Sequence, residues 1–590
     1  MNVVQEIPLS KAFFRKRVEE FLNSNSLRLE KVDSYYAILD GDENILAGAG
    51  ISGDVIKCVA VSEEARSQGL MLPLISHIVS LSEGRNLKVF TKPEYKAVFE
   101  SMGFHTVGIT PKAVMLENGR GIEEYCAYLK QFSSDKLKCV IVMNANPLTE
   151  GHSFLVKLAS KMFPEVFVIP VKEDVSLFSY EERLGMMRAG LTAENVTVLE
   201  GSSYVISAAT FPTYFLKDLT EASEIQMRLD ANIFGTWIAP ALGGSVERYV
   251  GDEPFDSLTA EYNSILGYDL LEHGIELTVI PRYRFGSEPL SASMVRSALL
   301  NGNYREAAAM VPETTRPYLL AHLATQALRR ELELPLKPGL VCPGDNGAHS
   351  DMDYDLMLRS IEVLRPYFVE MAAAVSASKL RQIGIEAEEA MLSATGGVNT
   401  HRGAIFALGL AVNAAMTLPL AESWYGIVRE AQVDDYQEFM QNQLVQLAQL
   451  ILRNPLKENE LHFTVKSARE MALGGYRELF EEWLPYYRDF STRPAASVEM
   501  TEPQPAASLQ TEALQRTLLK IMSSLDDTCI LRRAGAPRLQ KVKAEALETL
   551  SAPDFENALK EMCQRYAEER ISPGGAADML SLTIFFDSIV

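Results

Sequence analysis

Three groups of polar residues stand at spacings that chemistry could use. In CVIVMNANPLTEGHSFLVKLA an apolar run ends at Met143, a loop carries Asn144, Asn146 and Pro147, and a helical pattern begins near Gly151. Thr149 and His152 therefore stand where free N–H groups and the helix dipole favour a phosphate. Gly151 allows close backbone approach, and His152 can donate to a phosphoryl oxygen while charge builds on it. The same spacing also suits a capped helix with a surface histidine. A second strand-to-helix junction carries Ser291-Ala292-Ser293-Met294-Val295-Arg296, where two hydroxyls and a bidentate guanidinium could hold outer phosphates. The third group is spread through the last region. KPGLVCPGDNGAHSDMD sets His349, Asp351 and Asp353 close together with Asp345 nearby, and TGGVNTHRGAIFALG holds Asn399, His401 and Arg402. Asp526 and Asp527 follow in SSLDDTCILRRAG, and Asp578 in SPGGAADMLSLT. Asp351 and Asp353 could form a platform for Mg²⁺ and a triphosphate, because Mg²⁺ is held by one or two carboxylates plus phosphate oxygens. Each acidic pair alone equally fits a capped helix start. Several Gly-flanked Asp/His clusters in one region point instead to a site.

The elements that must position these groups change in character along the chain. Residues 1 to about 130 alternate short β-rich runs with helical ones. YYAILDGDENILAGAGI reads as a hairpin, and IKCVAVSEEARSQGLMLPLISHIVSLS as strand, turn and amphipathic helix. From 136 to about 330 the apolar runs CVIVM, EVFVIPV, VTVLEG, GTWIAP and ELTVIPR recur between helical patterns. Such runs suit strands of a parallel sheet covered on both faces. Beyond 340, Ala/Leu/Glu/Met-rich stretches predict mostly helix. Ser491 to Ala513 is Pro/Ala/Ser/Thr-rich and reads as a mobile loop. The uncharged run Ala404 to Ala421, interrupted by Asn413, Thr417 and Pro419, reads as a buried core helix rather than a membrane span.

With 590 residues the chain suits roughly three or four domains of about 150 residues. Its 56 Lys+Arg against 78 Asp+Glu give a formal charge of −22, which argues against nucleic acid as a general partner. No basic tail suits an anionic membrane. The six cysteines are scattered without a C-x-x-C pair, which fits a reducing compartment rather than a disulfide framework or zinc site. The start, MNVVQEIPLS, lacks a signal-peptide pattern. The expectation is a cytoplasmic protein with neither membrane nor nucleic-acid partner.

The two motifs around His152 and Arg296 resemble the (H/T)-x-G-H and I-S-x-S/T-x-x-R signatures of the nucleotidyltransferase superfamily. That resemblance implies attack on the α-phosphate of ATP with release of pyrophosphate, usually with Mg²⁺. Thr149, His152 and Arg296 would be catalytic, and Asn144, Asn146, Pro147, Gly151, Ser291 and Ser293 would bind nucleotide. Thr149 stands where the commoner form has a histidine, which keeps hydrogen bonding but not charge. MNANPLTEGH, VKEDVSLFSYEERL, GSSYVISAATFPTYFLKD and IAPALGGSVERYVGDEP are similar to citrate (pro-3S)-lyase ligase. This resemblance covers residues 1 to about 325. It implies acetyl-adenylate formation from acetate and ATP, then acetyl transfer to the prosthetic-group thiol of the citrate lyase acyl carrier protein. Glu173, Asp174, Ser176 and Arg183 would line or support the nucleotide site; a solvated helix face is the plainer reading of Arg183 and Glu182. Arg66-Ser67-Gln68-Gly69 resembles the pyrophosphate turn of GNAT-type acetyltransferases, although Met71 replaces a small residue. Arg66 and Gly69 would then receive a pantetheine arm, unless this domain is a structural appendage.

From about 325 onward the motifs resemble triphosphoribosyl-dephospho-CoA synthase. That family joins the ribosyl 5′-triphosphate of ATP to dephospho-CoA and expels adenine. Its Gly-rich segment is altered here to FTVKSAREMALGGYRELFEEWLP. Thr464, Gly474, Glu478 and Pro485 can be aligned, but Arg477 and Trp483 replace glycines. Either the segment repacks, or the region has reduced activity or serves as a docking scaffold. The expectation is an α/β GNAT-like domain at 1–132, an α/β Rossmann-like nucleotidyltransferase domain at 133–325 and an all-α domain at 326–590. Its substrates would be ATP, acetate and dephospho-CoA, with Mg²⁺ as cofactor and the carrier protein as partner.

Overall fold

The computed structural model describes residues 3–174, 176–206, 211–216, 221–252, 257–418, 433–452, 468–491 and 506–590. It divides into two compact units, Met1–Leu290 and Ser291–Val590. Each has its own architecture.

The first unit holds two sheets. Strands β1 (Val4–Ile7), β2 (Ser34–Leu39), β3 (Ile45–Ser52), β4 (Val55–Val61), β5 (Lys88–Thr91), β6 (His105–Ile109) and β7 (Val114–Glu117) form one of them, in the order β1-β2-β3-β4-β5-β7-β6. The expected hairpin is β2–β3, its turn fixed by Asp40 accepting the N–H groups of Asp42 and Asn44. Pairing is antiparallel except between β4 and β5, where only Val55 and Ile56 are in register, so the two strands part beyond them. The Arg66–Gly69 turn leaves β4 and leads into the helix Met71–Leu81.

The second sheet is wholly parallel: β8 (Lys138–Met143), β9 (Glu165–Pro170), β10 (Val196–Val198), β11 (Val246–Gly251) and β12 (Glu276–Ile280), in the order β10-β9-β8-β11-β12. The apolar runs predicted four of these strands. The fifth expectation fails, because GTWIAP is helical and continues the helix Ala222–Ile233. A short apolar run cannot distinguish strand from buried helix by periodicity. The strand is instead VERYVG, whose Arg248 is buried against Asp230 (2.9 Å) and the Phe234 ring.

One apolar core runs through the unit, from Tyr35 and Met115 of the first sheet to Val140 and Phe167 of the second. A polar knot reinforces it. The fully buried carboxylate of Glu117 accepts from Asn86 Nδ2 (2.5 Å), Ile122 N (3.0 Å) and the hydroxyl of Tyr204.

The second unit is helical. Its long helices include Arg316–Glu333, Tyr354–Ala372, Ala377–Ala394, Arg402–Ala415, Thr528–Ser551, which is broken by a kink at Gly535, and Gly574–Asp587. The Arg402–Ala415 helix is buried along most of its length, and among the described residues no helix is long and apolar enough to cross a membrane. The run expected as a loop to Ala513 is already helical from Ala506, where good helix formers follow Pro505; residues 492–505 lie outside the described residues. All six cysteines are unbridged.

Tyr204→Phe removes one donor from a buried carboxylate and is expected to cost about 1–3 kcal/mol. Urea unfolding of the full chain measures this, and an unchanged midpoint would contradict the role given to the knot.

Candidate functional site

In the parallel sheet the chain runs from β8 outward to β9 and β10, then returns to start β11 on the other side of β8. Ligands of such sheets bind beyond the carboxyl ends of the strands at this reversal. There the chain leaves β8 through Asn144, Ala145, Asn146 and Pro147 and enters the helix Glu150–Met162. Thr149 caps that helix, its hydroxyl accepting from His152 N at 3.3 Å. In return, His152 Nδ1 accepts the Thr149 backbone N–H at 3.0 Å and lies 2.8 Å from Thr149 Oγ1. With Nδ1 accepting, the ring proton sits on Nε2. Burial, aided by the nearby Arg282 guanidinium, pushes His152 down to about 4, so the ring is a neutral Nε2–H donor. The Thr149 backbone N–H thus fixes the tautomer of this ring. A side chain at Gly151 would meet only ordinary contacts, the nearest at 3.4 Å, so protein packing does not demand the glycine. The space it leaves is available to a ligand.

Glu173, Asp174, Ser176 and Arg183 gather behind this loop. Arg183 is fully buried, so it supports the loop rather than facing a ligand. Its guanidinium donates to the carbonyls of Phe178 (3.2 Å), Asn144 (3.0 Å), Val171 (2.9 Å) and Glu173, and Glu173 Oε1 stands 3.6 Å away. Ser176 donates to the same Glu173 oxygen. Asp174 accepts Tyr180 N (2.7 Å), and Asn146 Oδ1 accepts Phe178 N (3.2 Å). Glu182 forms a capping box with Ser179. Arg282, at the exit of β12, donates to Asp252 O (2.6 Å) beyond β11 and places a cation beside His152. Sequence reasoning missed it; a Pro-Arg pair closing a parallel strand was the available signal. Arg66 and Gly69 lie on the other sheet, on an exposed turn where Gly69 has φ +67° and Arg66 reaches Asn25 Oδ1 (3.4 Å).

In the second unit, Ser291 caps the helix Ala292–Leu300 by accepting Met294 N, and its hydroxyl is 2.7 Å from that of Ser293. Arg296 lies half-buried on the same helix. A cavity of about 170 Å³ elsewhere in this unit is lined by His349, Asn399, His401, Arg402 and Asp578, together with Lys337, Glu331, Arg533 and Ser572. Two glycines close in sequence to the lining are confined by backbone: Gly339 (φ +69°) would place a Cβ 1.8 Å from Ile571 O, and Gly347 (φ +56°) one 2.6 Å from Gly339 C. Lys337 Nζ donates to Glu331 O (2.7 Å) and Oε1 (2.6 Å) in a buried pair that sequence reasoning did not single out. His349 Nε2 is 2.8 Å from Ser572 Oγ.

The remaining aspartates stand apart from the lining. Asp527 caps the helix Thr528–Ser551 through Cys529 N (2.8 Å) and also accepts Ala576 N (3.0 Å), tying two helix starts together. Asp526 pairs with Lys543 at 2.6 Å. Asp353 caps Tyr354–Ala372, and Asp351 is exposed with one oxygen 3.8 Å from His349 Nδ1. Among the described residues no three His, Cys, Asp or Glu side chains gather into a metal cage. In the described part of the altered segment, Arg477 lies on the surface against Glu481 (2.7 Å), and Trp483 is buried with Nε1 donating to Ser524 Oγ (3.0 Å). Neither lines the cavity. Thr464 lies outside the described residues.

The chain thus joins a parallel-sheet unit, with a capped helix start at its strand-order reversal, to a helical unit with a cavity lined by polar and apolar side chains. Residues 138–319 match the citrate lyase ligase C-terminal domain, and residues 317–590 match the ATP:dephospho-CoA triphosphoribosyl transferase family. A citrate (pro-3S)-lyase ligase of Escherichia coli (strain K12) is 38% identical over 331 residues, 53% of this chain and 93% of that protein. One from Haemophilus influenzae is 37% identical over 315 residues, 51% of this chain and 94% of its own length. A probable 2-(5''-triphosphoribosyl)-3'-dephosphocoenzyme-A synthase of Stutzerimonas stutzeri (strain A1501) is 36% identical over 291 residues, 46% of this chain and 91% of that protein. The chain therefore belongs to both families, a citrate lyase ligase fused to a triphosphoribosyl-dephospho-CoA synthase. A solved structure of NadR protein in complex with NAD and AMP-PNP aligns over 59% of this chain and 96% of its own, at 14% identity and a TM-score of 0.24, which is too low to bear on fold or site.

Arg183→Ala strands the Glu173 carboxylate and four carbonyls. It is expected to destabilise the first unit by about 3–5 kcal/mol. Denaturant unfolding tests this, and a loss below about 1 kcal/mol, typical of an exposed ion pair, would contradict the staple role.

Proposed function

We propose that this chain performs two ATP-dependent steps in the maturation of citrate lyase. In one, acetate attacks the α-phosphate of ATP, pyrophosphate leaves, and acetyl passes from acetyl-AMP to the thiol of the lyase's carrier-protein prosthetic group. In the other, the ribosyl 5′-triphosphate of ATP is joined to dephospho-CoA and adenine departs, which gives the precursor of that group. The near-complete coverage of both kinds of relative by one chain carries this reading.

The geometry supports a division of labour. His152 Nε2 would donate to the α-phosphoryl oxygen as charge develops, oriented by Thr149, while Gly151 leaves room for the nucleotide. A neutral donor suits the task, because it can follow the developing charge without a desolvated cation to hold in the empty site. Asn144, Asn146 and Pro147 shape the loop, and Arg282 adds positive charge. Ser291, Ser293 and Arg296 are assigned to the outer phosphates on the sequence pattern alone. The strand order supports a Rossmann-like reading of the parallel sheet. The parting of β4 from β5, with the Arg66–Gly69 turn after it, supports a GNAT-like domain that receives the pantetheine arm. Mg²⁺ would arrive with the triphosphates. It keeps several waters and needs few carboxylates, so Asp351 and Asp353 suffice in kind. The scaffold reading of the second unit finds no support in the departing residues, since Arg477 and Trp483 are not among those lining the cavity.

His152→Ala is expected to reduce acetate-dependent pyrophosphate formation by at least about a hundredfold while adenine release from ATP and dephospho-CoA persists. Equal loss of both would contradict separate sites. Because His152 is already neutral well above about 4, the first activity should not fall as pH drops through the ordinary histidine range near about 6.5. A titration there that vanishes in His152→Ala would overturn the neutral-donor assignment.

A further inference from the structure

The cavity of the second unit has a composition that selects one part of ATP. Its volume of about 170 Å³ gives room for a flat bicyclic base. Its interior carries no net positive charge to receive phosphates. The Lys337 ammonium is already spent on Glu331 at 2.6 Å. Burial, with the Lys337 charge nearby, pushes His401 down to about 4, so it is neutral. The cations Arg402 and Arg533 are exposed, at the rim, and Arg402 pairs with Glu388. Apolar lining from Leu328, Leu340, Val341 and Met357 completes a surface suited to a flat, uncharged heterocycle.

Two polar groups give that surface direction. His401 is only 4% exposed, and its Nε2 has no hydrogen-bond partner, whereas Nδ1 is held 2.7 Å from Ser360 Oγ, itself 2.7 Å from Thr400 Oγ1. An unpartnered buried nitrogen is costly unless a ligand satisfies it. Purine edges offer both donors and acceptors, so either tautomer of the ring finds a match. Asp578 lines the same cavity, its Oδ2 only 2.0 Å from where a Cβ of Gly403 would lie, and it accepts Ala404 N–H. That glycine is what admits the carboxyl group.

We infer that this cavity takes the adenine ring of ATP, with His401 Nε2 bonding its edge and Asp578 passing a proton to the departing base. The inference rests on the transferase reading above. As the C1′–N9 bond breaks, its electron pair goes to the ring, and the proton from Asp578 completes neutral adenine. The dephospho-CoA hydroxyl forms its bond to C1′ and releases a proton that restores Asp578, so protons balance. Burial holds the Asp578 carboxyl well above the usual carboxylate range, reinforced by the Asp527 and Glu331 charges. The other titratable groups coupled to it are Tyr476 and Cys529, both pushed up mainly by burial, and so uncharged.

The test uses the full chain with adenine and inorganic triphosphate as separate binding probes, beside adenine release during turnover. Adenine is expected to bind without competition from triphosphate. His401→Ala should weaken adenine about tenfold, the worth of one buried hydrogen bond, and leave triphosphate affinity unchanged. Asp578→Asn should hold adenine within about twofold yet slow its release at least about a hundredfold, and abolish the fall in rate seen at high pH as the wild-type carboxyl ionises. Triphosphate binding also reports whether each variant is folded. A wild-type chain that turns over but binds no adenine, competition between the two probes, or an active Asp578→Asn would overturn the inference. Absence of adenine release from the wild type would instead overturn the transferase reading, and the inference with it.

Discussion

One buried guanidinium governs the mouth of the parallel sheet. A cation removed from water must be surrounded by oxygen, and Arg183 meets that demand with carbonyls drawn from three separate stretches: the loop after β8, the exit of β9 and the turn before Tyr180–Gly190. Because one planar group bonds all three, none can shift alone. Asn144 is thereby fixed, and with it the approach to Thr149. His152 then inherits its orientation from Thr149, and its neutrality from burial and Arg282. The chemistry is assigned to the histidine, but the geometry begins at the arginine.

The second unit solves a similar problem with other means. Lys337 and Glu331 neutralise one another inside the wall. Asp527 bonds the starts of two helices, and Asp578 occupies the start of a third. Helix N–H groups that could have bound phosphate are thus already satisfied by carboxylates. The cavity lining thus carries one buried ion pair, while its arginines Arg402 and Arg533 are exposed. Both units hold a histidine that burial pushes down to about 4 and keeps neutral. The formal charge of −22 spread over the chain says little about either place.

Local signals were legible in the sequence, and those that depend on topology were not. The Thr149 to His152 capping arrangement lies within four residues, and the apolar runs of β8, β9, β10 and β12 declare themselves as buried parallel strands. GTWIAP carries the same signal yet is helix, and VERYVG, with its charged Glu247 and Arg248, conceals a central strand. Only the folded partner Asp230 makes that arginine tolerable inside. Arg282 is distant in sequence from His152, and nothing short of the strand order reveals their proximity. Arg183 was expected to line or support a nucleotide site, but the three stretches it joins were not legible, because its acceptors are backbone carbonyls that a sequence does not display. Trp483 stands where the resembled family has a glycine, and its burial with Nε1 on Ser524 Oγ could not be read from the sequence.

The most direct measurement is a product balance on the purified full-length chain. Incubated with ATP, Mg²⁺ and dephospho-CoA, it should yield adenine and a triphosphoribosyl-dephospho-CoA mass in equal amounts by liquid chromatography and mass spectrometry. The same preparation given ATP, acetate and a thiol-bearing carrier protein should yield AMP, pyrophosphate and the acetylated carrier. Formation of one product set without the other would contradict a chain in which both units are enzymes.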